Sequence, residues 1–339
     1  MKKYNVAILG ATGMVGHEFL KILDQRNFPI ETLKLTASER TSGTKISFRG
    51  KELEVEVATP EAFDGIDIVL SSAGANVSQA LAPEIIKRGA IIIDNTSAFR
   101  MDADVPLVVP EVNGHALKNH KGIIANPNCS TIQLVMALKP LHDYSPLKRV
   151  LVSTYQSVSG AGKEAVEEMN QQFQAVLDGT FTKPEKTILP QHIAFNVIPH
   201  GGNFLDNGYT DEEIKITNET RKIMEIPNLP ISATSVRVPV NVGHSETVNV
   251  EFESKVDLDK VREALSNFDG VIVMDNPAKK EYPMPFDLAG RDEVFVGRIR
   301  EDLSCENALN MWVVADNIRK GAALNAVQIA EKMIADGLI

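Results

Sequence analysis

The sequence predicts an α/β protein in two parts: a doubly wound parallel sheet first, then an α+β region with a mostly antiparallel sheet. Three observations predict it. Short apolar runs alternate with helical periods up to about residue 130. Long alternating strands interrupted by amphipathic helices follow. A helical stripe then closes the chain. A length of 339 residues suits roughly two domains, each with its own core.

Taken in order, Tyr4–Leu9 is an apolar strand that ends in Gly10-Ala11-Thr12-Gly13-Met14-Val15-Gly16, and a helix follows with Val15, Phe19, Ile22 and Leu23 on one face. Further strands are expected at Leu33–Ala37, Ile66–Leu70, Ala90–Ile93 and Ile123–Ala125, with a helix at Val77–Arg88. This alternation favours a parallel sheet with helices on both faces. A helix begins again at Thr131–Leu138. Beyond it, alternating strands are expected at Arg149–Val158, Thr234–Val240, Thr247–Phe252, Glu293–Ile299 and Leu309–Ala315, with helices at Gly162–Leu177 and Leu258–Phe268. Pro199–Gly208 and Asn276–Pro285 read as loops. The last segment, Asn317–Leu338, carries Ala323, Val327, Ala330 and Ile334 on one helical stripe and is expected to return to the first domain. The domains are therefore expected at 1–128 plus 317–339, and at 129–316.

Composition narrows the function. Hydrophobic residues make up 43% and charged residues 24%, values ordinary for a globular protein. A net charge of -10 with no basic patch argues against a nucleic-acid partner, while leaving room for local cation clusters that bind an anionic small molecule. Two cysteines, Cys129 and Cys305, build no disulfide framework and fit a reducing compartment. No apolar run approaches the roughly 20 residues of a membrane span, and Met1-Lys2-Lys3-Tyr4 leads into no long apolar stretch. A cytoplasmic enzyme is expected, with no membrane partner and no metal.

Two motifs carry chemistry. Gly10-x-x-Gly13-x-x-Gly16 lies between a strand and a helix, the setting in which a Rossmann-type domain holds a dinucleotide pyrophosphate. The turn residues Gly10, Thr12, Gly13, Met14, Val15 and Gly16 are thus expected at a cofactor. At the tip of the next strand, Ser38, Arg40 and Thr41 suit a 2′-phosphate and favour NADP over NAD, provided Glu39 points away. Ser72, Gly74 and Asn95 end strands on the same expected crevice. The second motif is Asn126-Pro127-Asn128-Cys129-Ser130-Thr131. It puts a lone cysteine where a strand meets a helix start, where the dipole and free N–H groups favour thiolate, the nucleophilic form. Cys305 has no motif around it.

With Gly10–Gly16, Asp94-Asn95-Thr96-Ser97-Ala98-Phe99-Arg100, Asn126–Thr131, Gln156–Gly162, Glu212-Glu213-Ile214-Lys215, Arg237-Val238-Pro239-Val240, Gly243-His244 and Ala315-Asp316-Asn317 in this order, the chain resembles the aspartate-β-semialdehyde dehydrogenase family. The short loops resemble its Gram-positive-type branch. The resemblance implies NADPH-dependent reduction of L-aspartyl-4-phosphate to L-aspartate 4-semialdehyde in lysine, threonine, methionine and diaminopimelate biosynthesis. It also implies that the second domain is catalytic and forms a homodimer. It assigns Cys129 as the thioester-forming nucleophile, His244 as acid/base and Gln156 as the group that orients the acyl carbon. Arg237 would grip the α-carboxylate, Glu212 the α-amine, and Arg100 with Lys215 the phosphate, joined by Asn128. Ser159 and Gly160 would lie near the nicotinamide, with Asn317 facing its amide. A second pair of the same spacing, Glu219-x-x-Lys222, competes with Glu212 and Lys215. The rival readings are an N-acetyl-γ-glutamyl-phosphate reductase, disfavoured by Asn128 and Ser130 beside the cysteine, and a non-catalytic NADP-binding sensor, disfavoured by Cys129, Gln156, Arg237 and His244 standing together.

Overall fold

The computed structural model describes residues 2–185 and 187–339. It divides into two compact units, Met1–Asn128 with Ala322–Ile339, and Cys129–Gly321.

The first unit holds β1 (Tyr4–Leu9), β2 (Ile30–Ala37), β3 (Lys45–Phe48), β4 (Lys51–Val57), β5 (Ile68–Ser71), β6 (Ile91–Asp94) and β7 (Ile123–Ala125). They form a seven-stranded sheet in the order β3-β4-β2-β1-β5-β6-β7, parallel throughout except for the β3–β4 hairpin. The central strands read as near-continuous apolar runs because both faces are covered. Phe19, Ile22 and Leu23 of helix Met14–Gln25 share one core with Leu324, Val327, Ala330 and Met333 of helix Leu324–Ala335. Leu81, Ala82 and Ile85 of helix Ala75–Lys87 share the other with Phe63 and Val69. The strand order reverses at β1, with β2 on one side and β5 on the other, which is where open α/β sheets bind ligands.

The β3–β4 hairpin was not among the expected strands. Its run Lys45–Val57 is charged and mostly exposed, so its alternation carries little hydrophobic signal. Its turn is Arg49-Gly50, with both residues at positive φ (47° and 76°), the tight hairpin geometry.

The second unit contains β8 (Leu147–Gln156), β9 (Ile231–Arg237), β10 (His244–Phe252), β11 (Val271–Val273), β12 (Val294–Glu301) and β13 (Ala308–Ala315). The six-stranded order is β11-β12-β13-β10-β8-β9. Its centre is antiparallel, and the outer pairs β8–β9 and β11–β12 are parallel. Helices Cys129–Tyr144, Asp211–Met224 and Leu258–Ser266 pack against it. Val150 and Val152 of β8 and Val248, Val250 and Phe252 of β10 are buried, each at period two along its strand. Helix Asp211–Met224 was not singled out as an element, although its start is legible: Thr210 and Glu213 form a reciprocal capping box.

The return to the first unit comes five residues later than the expected boundary of 317. Asn317–Gly321 belong to the second unit, because Asn317 is bonded to Ser157, Ser159 and Gly243 there. Among the described residues, no helix is long and apolar enough to cross a membrane.

Candidate active site

In the first unit, the glycine turn closes around a cleft of about 460 Å³ lined by Gly10, Thr12, Gly13, Ser38, Glu39 and Ser72 among others. Gly10 adopts φ +90°, and a Cβ there would fall 2.7 Å from the Ser72 carbonyl oxygen, so the turn passes hard against the end of β5. At Gly16 a Cβ would sit 2.3 Å from the Gly10 oxygen, so this glycine lets the helix close onto its own entry loop. Gly13 differs: it is exposed, its φ is ordinary, and a Cβ would meet only the Gly10 oxygen at 3.5 Å. The room left at Gly13 faces outward, where a ligand's backbone-hugging group needs it. No side chain caps the helix that starts at Met14, so its first N–H groups remain available to an anion. These are the features of a cradle that fits a dinucleotide pyrophosphate.

Around that cradle the other residues divide. Val15 packs against the core and Met14 is half-buried, so their contribution to a ligand is through backbone. Thr12 and Thr41 are joined through their hydroxyls at 3.2 Å. Arg40 is exposed on the short turn Glu39–Thr41 and is not part of the cleft wall, whereas Glu39 is. Glu39, exposed like Arg40, borders the cleft beside Ser38 on the turn directly after β2. Gly74 has φ +95° at the start of helix Ala75–Lys87, with open space around it. Asn95 is committed to the strand ends, donating to the Ser71 carbonyl and accepting from Asn126 Nδ2. Arg100 is buried and donates to the carbonyls of Asn126 (3.0 Å) and Asn95 (2.7 Å), which locks it under the loop leading to the cysteine. Asn128, the last residue of that loop, is buried too.

In the second unit, Cys129 is the first residue of its helix, and its Sγ lies 3.2 Å from Nε2 of His244. His244 opens β10 and is buried. Its Nδ1 receives the backbone N–H of Ser157 at 3.0 Å, which places the ring proton of a neutral imidazole on Nε2, directed at the sulfur. Burial holds the His244 pKa well below its ordinary value, and the nearby Arg237 charge pushes it the same way. The site therefore favours neutral imidazole as a donor to sulfur. The positive charge that a thiolate needs comes from Arg237: burial lowers its pKa, while the charges of Cys129 and Glu212 oppose that shift. Arg237 is itself aimed by a 2.7 Å bond from Nη1 to the Ser157 carbonyl.

Gln156 ends β8, donates to Ser130 Oγ at 3.0 Å and reaches Glu212 Oε1 at 3.3 Å. This contact separates the two Glu-x-x-Lys patterns. Glu212 lies beside Gln156, whereas Glu219, seven residues on and so about 10 Å along the helix, is fully buried. Lys215 stands between Asp211 (3.4 Å) and Glu212 (3.7 Å). Gly160 leaves space for the reacting groups, since a Cβ there would come 3.0 Å from Arg237 Nη1 and 3.3 Å from the His244 ring. Asn317 Oδ1 accepts from Ser157 Oγ, Ser159 Oγ and the Gly243 N–H, while its Nδ2 donates to Ser159. Its polar atoms are thus spent inside the second unit, bracing the loop that holds His244.

Three contributors escaped the sequence reading. Ser157 sits inside a quoted motif, yet nothing in its type predicts that its backbone would fix the histidine tautomer. Ser130 partners Gln156. Gly321, whose Cβ would lie 3.1 Å from that of Cys129, has no local signal at all.

Comparison with known proteins now bears on this geometry. Residues 5–120 match the family described as semialdehyde dehydrogenase, NAD binding domain, and residues 138–320 match semialdehyde dehydrogenase, dimerisation domain. The chain is 56% identical over 339 residues to an aspartate-semialdehyde dehydrogenase of Aquifex aeolicus, covering 99% of each chain. It is 53% identical to that of Bacillus subtilis, covering 97% of each. The chain belongs to the aspartate-semialdehyde dehydrogenase family. Its fold matches the crystal structure of aspartate semialdehyde dehydrogenase II from Vibrio cholerae complexed with ASA, with a TM-score of 0.96 and 45% identity over 99% of both chains. A structure of the Candida albicans enzyme with NADP, 26% identical over the full length of both chains, superposes with a TM-score of 0.78. The protein is thus an oxidoreductase of this family with a nicotinamide dinucleotide-binding domain and a dimerisation domain.

Proposed function

We propose that this protein reduces L-aspartyl-4-phosphate to L-aspartate 4-semialdehyde with release of phosphate, using NADPH, as a cytoplasmic homodimer in the biosynthesis of lysine, threonine, methionine and diaminopimelate. One observation carries the chemistry: a thiol at a helix start, 3.2 Å from an imidazole nitrogen whose proton faces it, with a guanidinium as counter-charge.

Cys129 Sγ attacks the acyl carbon, the C–O bond to phosphate breaks, and a thioester remains. Gln156 orients the acyl group from the end of β8. Arg100 and Lys215 serve the departing phosphate, Asn128 adds to that contact, Arg237 holds the α-carboxylate and Glu212 the α-amine. When bound at the glycine turn, NADPH supplies the hydride that reduces the thioester carbonyl. His244 Nε2–H donates a hydrogen bond to the sulfur as the sulfur regains charge when the tetrahedral adduct collapses to aldehyde, and it makes the same bond to the thiolate that attacks the aldehyde in the reverse direction. Ser159 and Gly160 stand beside these groups, on the side assigned to the nicotinamide. Ser38, Arg40 and Thr41 favour the 2′-phosphate of NADP, and Glu39 at the cleft wall limits that preference.

The test is NADPH formation from aspartate semialdehyde and phosphate. Turnover should depend on phosphate and fall when NAD replaces NADP. Absence of turnover with this aldehyde, alongside turnover with N-acetylglutamate semialdehyde, would transfer the chain to the rival reaction.

A further inference from the structure

A second polar row lies beneath the reactive one. Strand register pairs Gln156 with Arg237, and His244 with Ala315. Two residues along each strand, the register aligns Val313, Glu246, Thr154 and Ser235 across four strands. Two residues further the row is Met311, Val248, Val152 and Ala233, which is wholly apolar. On the helix above, Cys129 is followed four residues later by Gln133, one turn along the same face.

Glu246, Gln133, Thr154 and Ser235 are each fully buried. Both carboxyl oxygens of Glu246, both polar atoms of Gln133 and the hydroxyls of Thr154 and Ser235 complete no hydrogen bond within the protein. The Gln133 side chain acts on the Glu246 carboxyl against the effect of burial, although the two complete no hydrogen bond. Buried polar groups left in this state are costly, and an apolar pair of similar size would avoid the cost, as the next row does. Such a cost persists where it serves the site.

We infer that Glu246 is a positioning residue which, with Gln133, forms the polar seat holding the Cys129 helix over β10 and so sets the separation of Cys129 Sγ from His244 Nε2. The two residues that meet in the seat are one helical turn from Cys129 and two strand positions from His244, so a shift at the seat is passed to the reacting atoms by rigid elements. Burial keeps the Glu246 carboxyl well above its ordinary range. A protonated carboxyl can donate its O–H to an amide carbonyl and accept from the same amide's N–H, a two-bond match that a small closure of the seat would complete and that a carboxylate cannot make.

The inference rests on Cys129 being the reactive thiol, so its test reads that thiol directly. In a Cys305→Ser background, the rate of Cys129 alkylation by iodoacetamide is followed against pH, with melting temperature, kcat and KM recorded alongside. Glu246→Gln keeps a neutral partner for Gln133 and should retain the alkylation profile and kcat to within about twofold. Glu246→Leu and Gln133→Leu each strand the other partner; each should displace the profile and lower kcat about 10- to 100-fold with KM little changed. The double variant Gln133→Leu/Glu246→Leu should recover the melting temperature but not kcat. If Glu246→Leu does not fold, Gln133→Leu and Glu246→Gln decide alone. An unaltered profile and kcat in Gln133→Leu would overturn the inference, as would a Glu246→Gln variant as damaged as the leucine ones. Failure of the proposed reaction would show separately, as an unmutated protein whose Cys129 alkylates but which never turns over aspartate semialdehyde.

Discussion

At Gly10–Gly16 the first unit makes its site from backbone: two of three glycines are demanded by contacts of 2.7 and 2.3 Å with neighbouring main chain, and the ligand face is a helix start without a side-chain cap. The second unit makes its site from side chains at the ends of β8, β9 and β10, standing side by side: His244 accepts from the Ser157 N–H, Arg237 donates to the Ser157 carbonyl, and Gln156 donates to Ser130. The difference teaches where each site is fragile. A backbone site fails through shape, when an added atom has nowhere to go. A side-chain site fails through chemistry, and its fold survives the loss.

The largest effect should come from Cys129→Ala. Turnover should fall by on the order of 10⁴-fold or more, while cofactor titration and melting temperature stay close to those of the parent. A residual activity near the parent level would show that the thiol is not the nucleophile, and the chemical half of the contrast would collapse.

Next come the glycines. Gly16→Ala should lower stability by about 3 kcal/mol, because the Gly10 oxygen 2.3 Å away belongs to backbone that cannot step aside. Gly13→Ala should leave the melting temperature nearly unchanged and weaken cofactor binding instead, since its open side faces the ligand. Parallel losses in both variants would mean that the turn is shaped by folding alone.

Smaller still is the separation of the anion sites. Arg237→Lys should raise KM for the semialdehyde about 10- to 150-fold, since an ammonium cannot reproduce a guanidinium fork. Lys215→Ala should act chiefly on the KM for phosphate. Steady-state kinetics with both substrates varied would distinguish them, and an identical pattern for the two variants would merge the sites.

The least conspicuous effect is a pH slope. Glu246 has a raised pKa in the fold, so below its ordinary value of 4.5 both folded and unfolded chains hold the proton. Above that, the unfolded chain releases it and the folded one keeps it. Stability then declines with rising pH by about 1.4 kcal/mol per unit until the folded group ionises. Glu246→Gln should lack that slope, matching the parent near pH 4.5 and exceeding it at pH 7 in denaturant titrations. A parent curve with no extra decline would place an ionised Glu246 in the core.

Much of this was legible beforehand because the signals were local. Strand–glycine–helix order announces the first unit, and the strand feeding a helix start at Cys129 announces the thiol. Contributions that need distant register were not legible. The row of Glu246, Thr154 and Ser235 exists only once three strands are aligned, and each residue alone looks like an ordinary polar strand position. The same holds for Gly321 beside Cys129, and for Asn317, whose commitment to Ser157 and Gly243 moves the unit boundary. Charge hid the β3–β4 hairpin, since a mostly exposed edge shows no apolar alternation.

The helix Leu324–Ala335 completes the core begun by Tyr4, Val6 and Phe19. During synthesis, then, the residues that leave the ribosome first wait for some of the last. The inserted unit Cys129–Gly321 has all of its own contacts in one uninterrupted stretch and can finish while the earlier segment is still unsealed. Order of emergence and order of completion are reversed. A nascent chain arrested before Ala322 should hold a protease-resistant second unit attached to a cleavable first one.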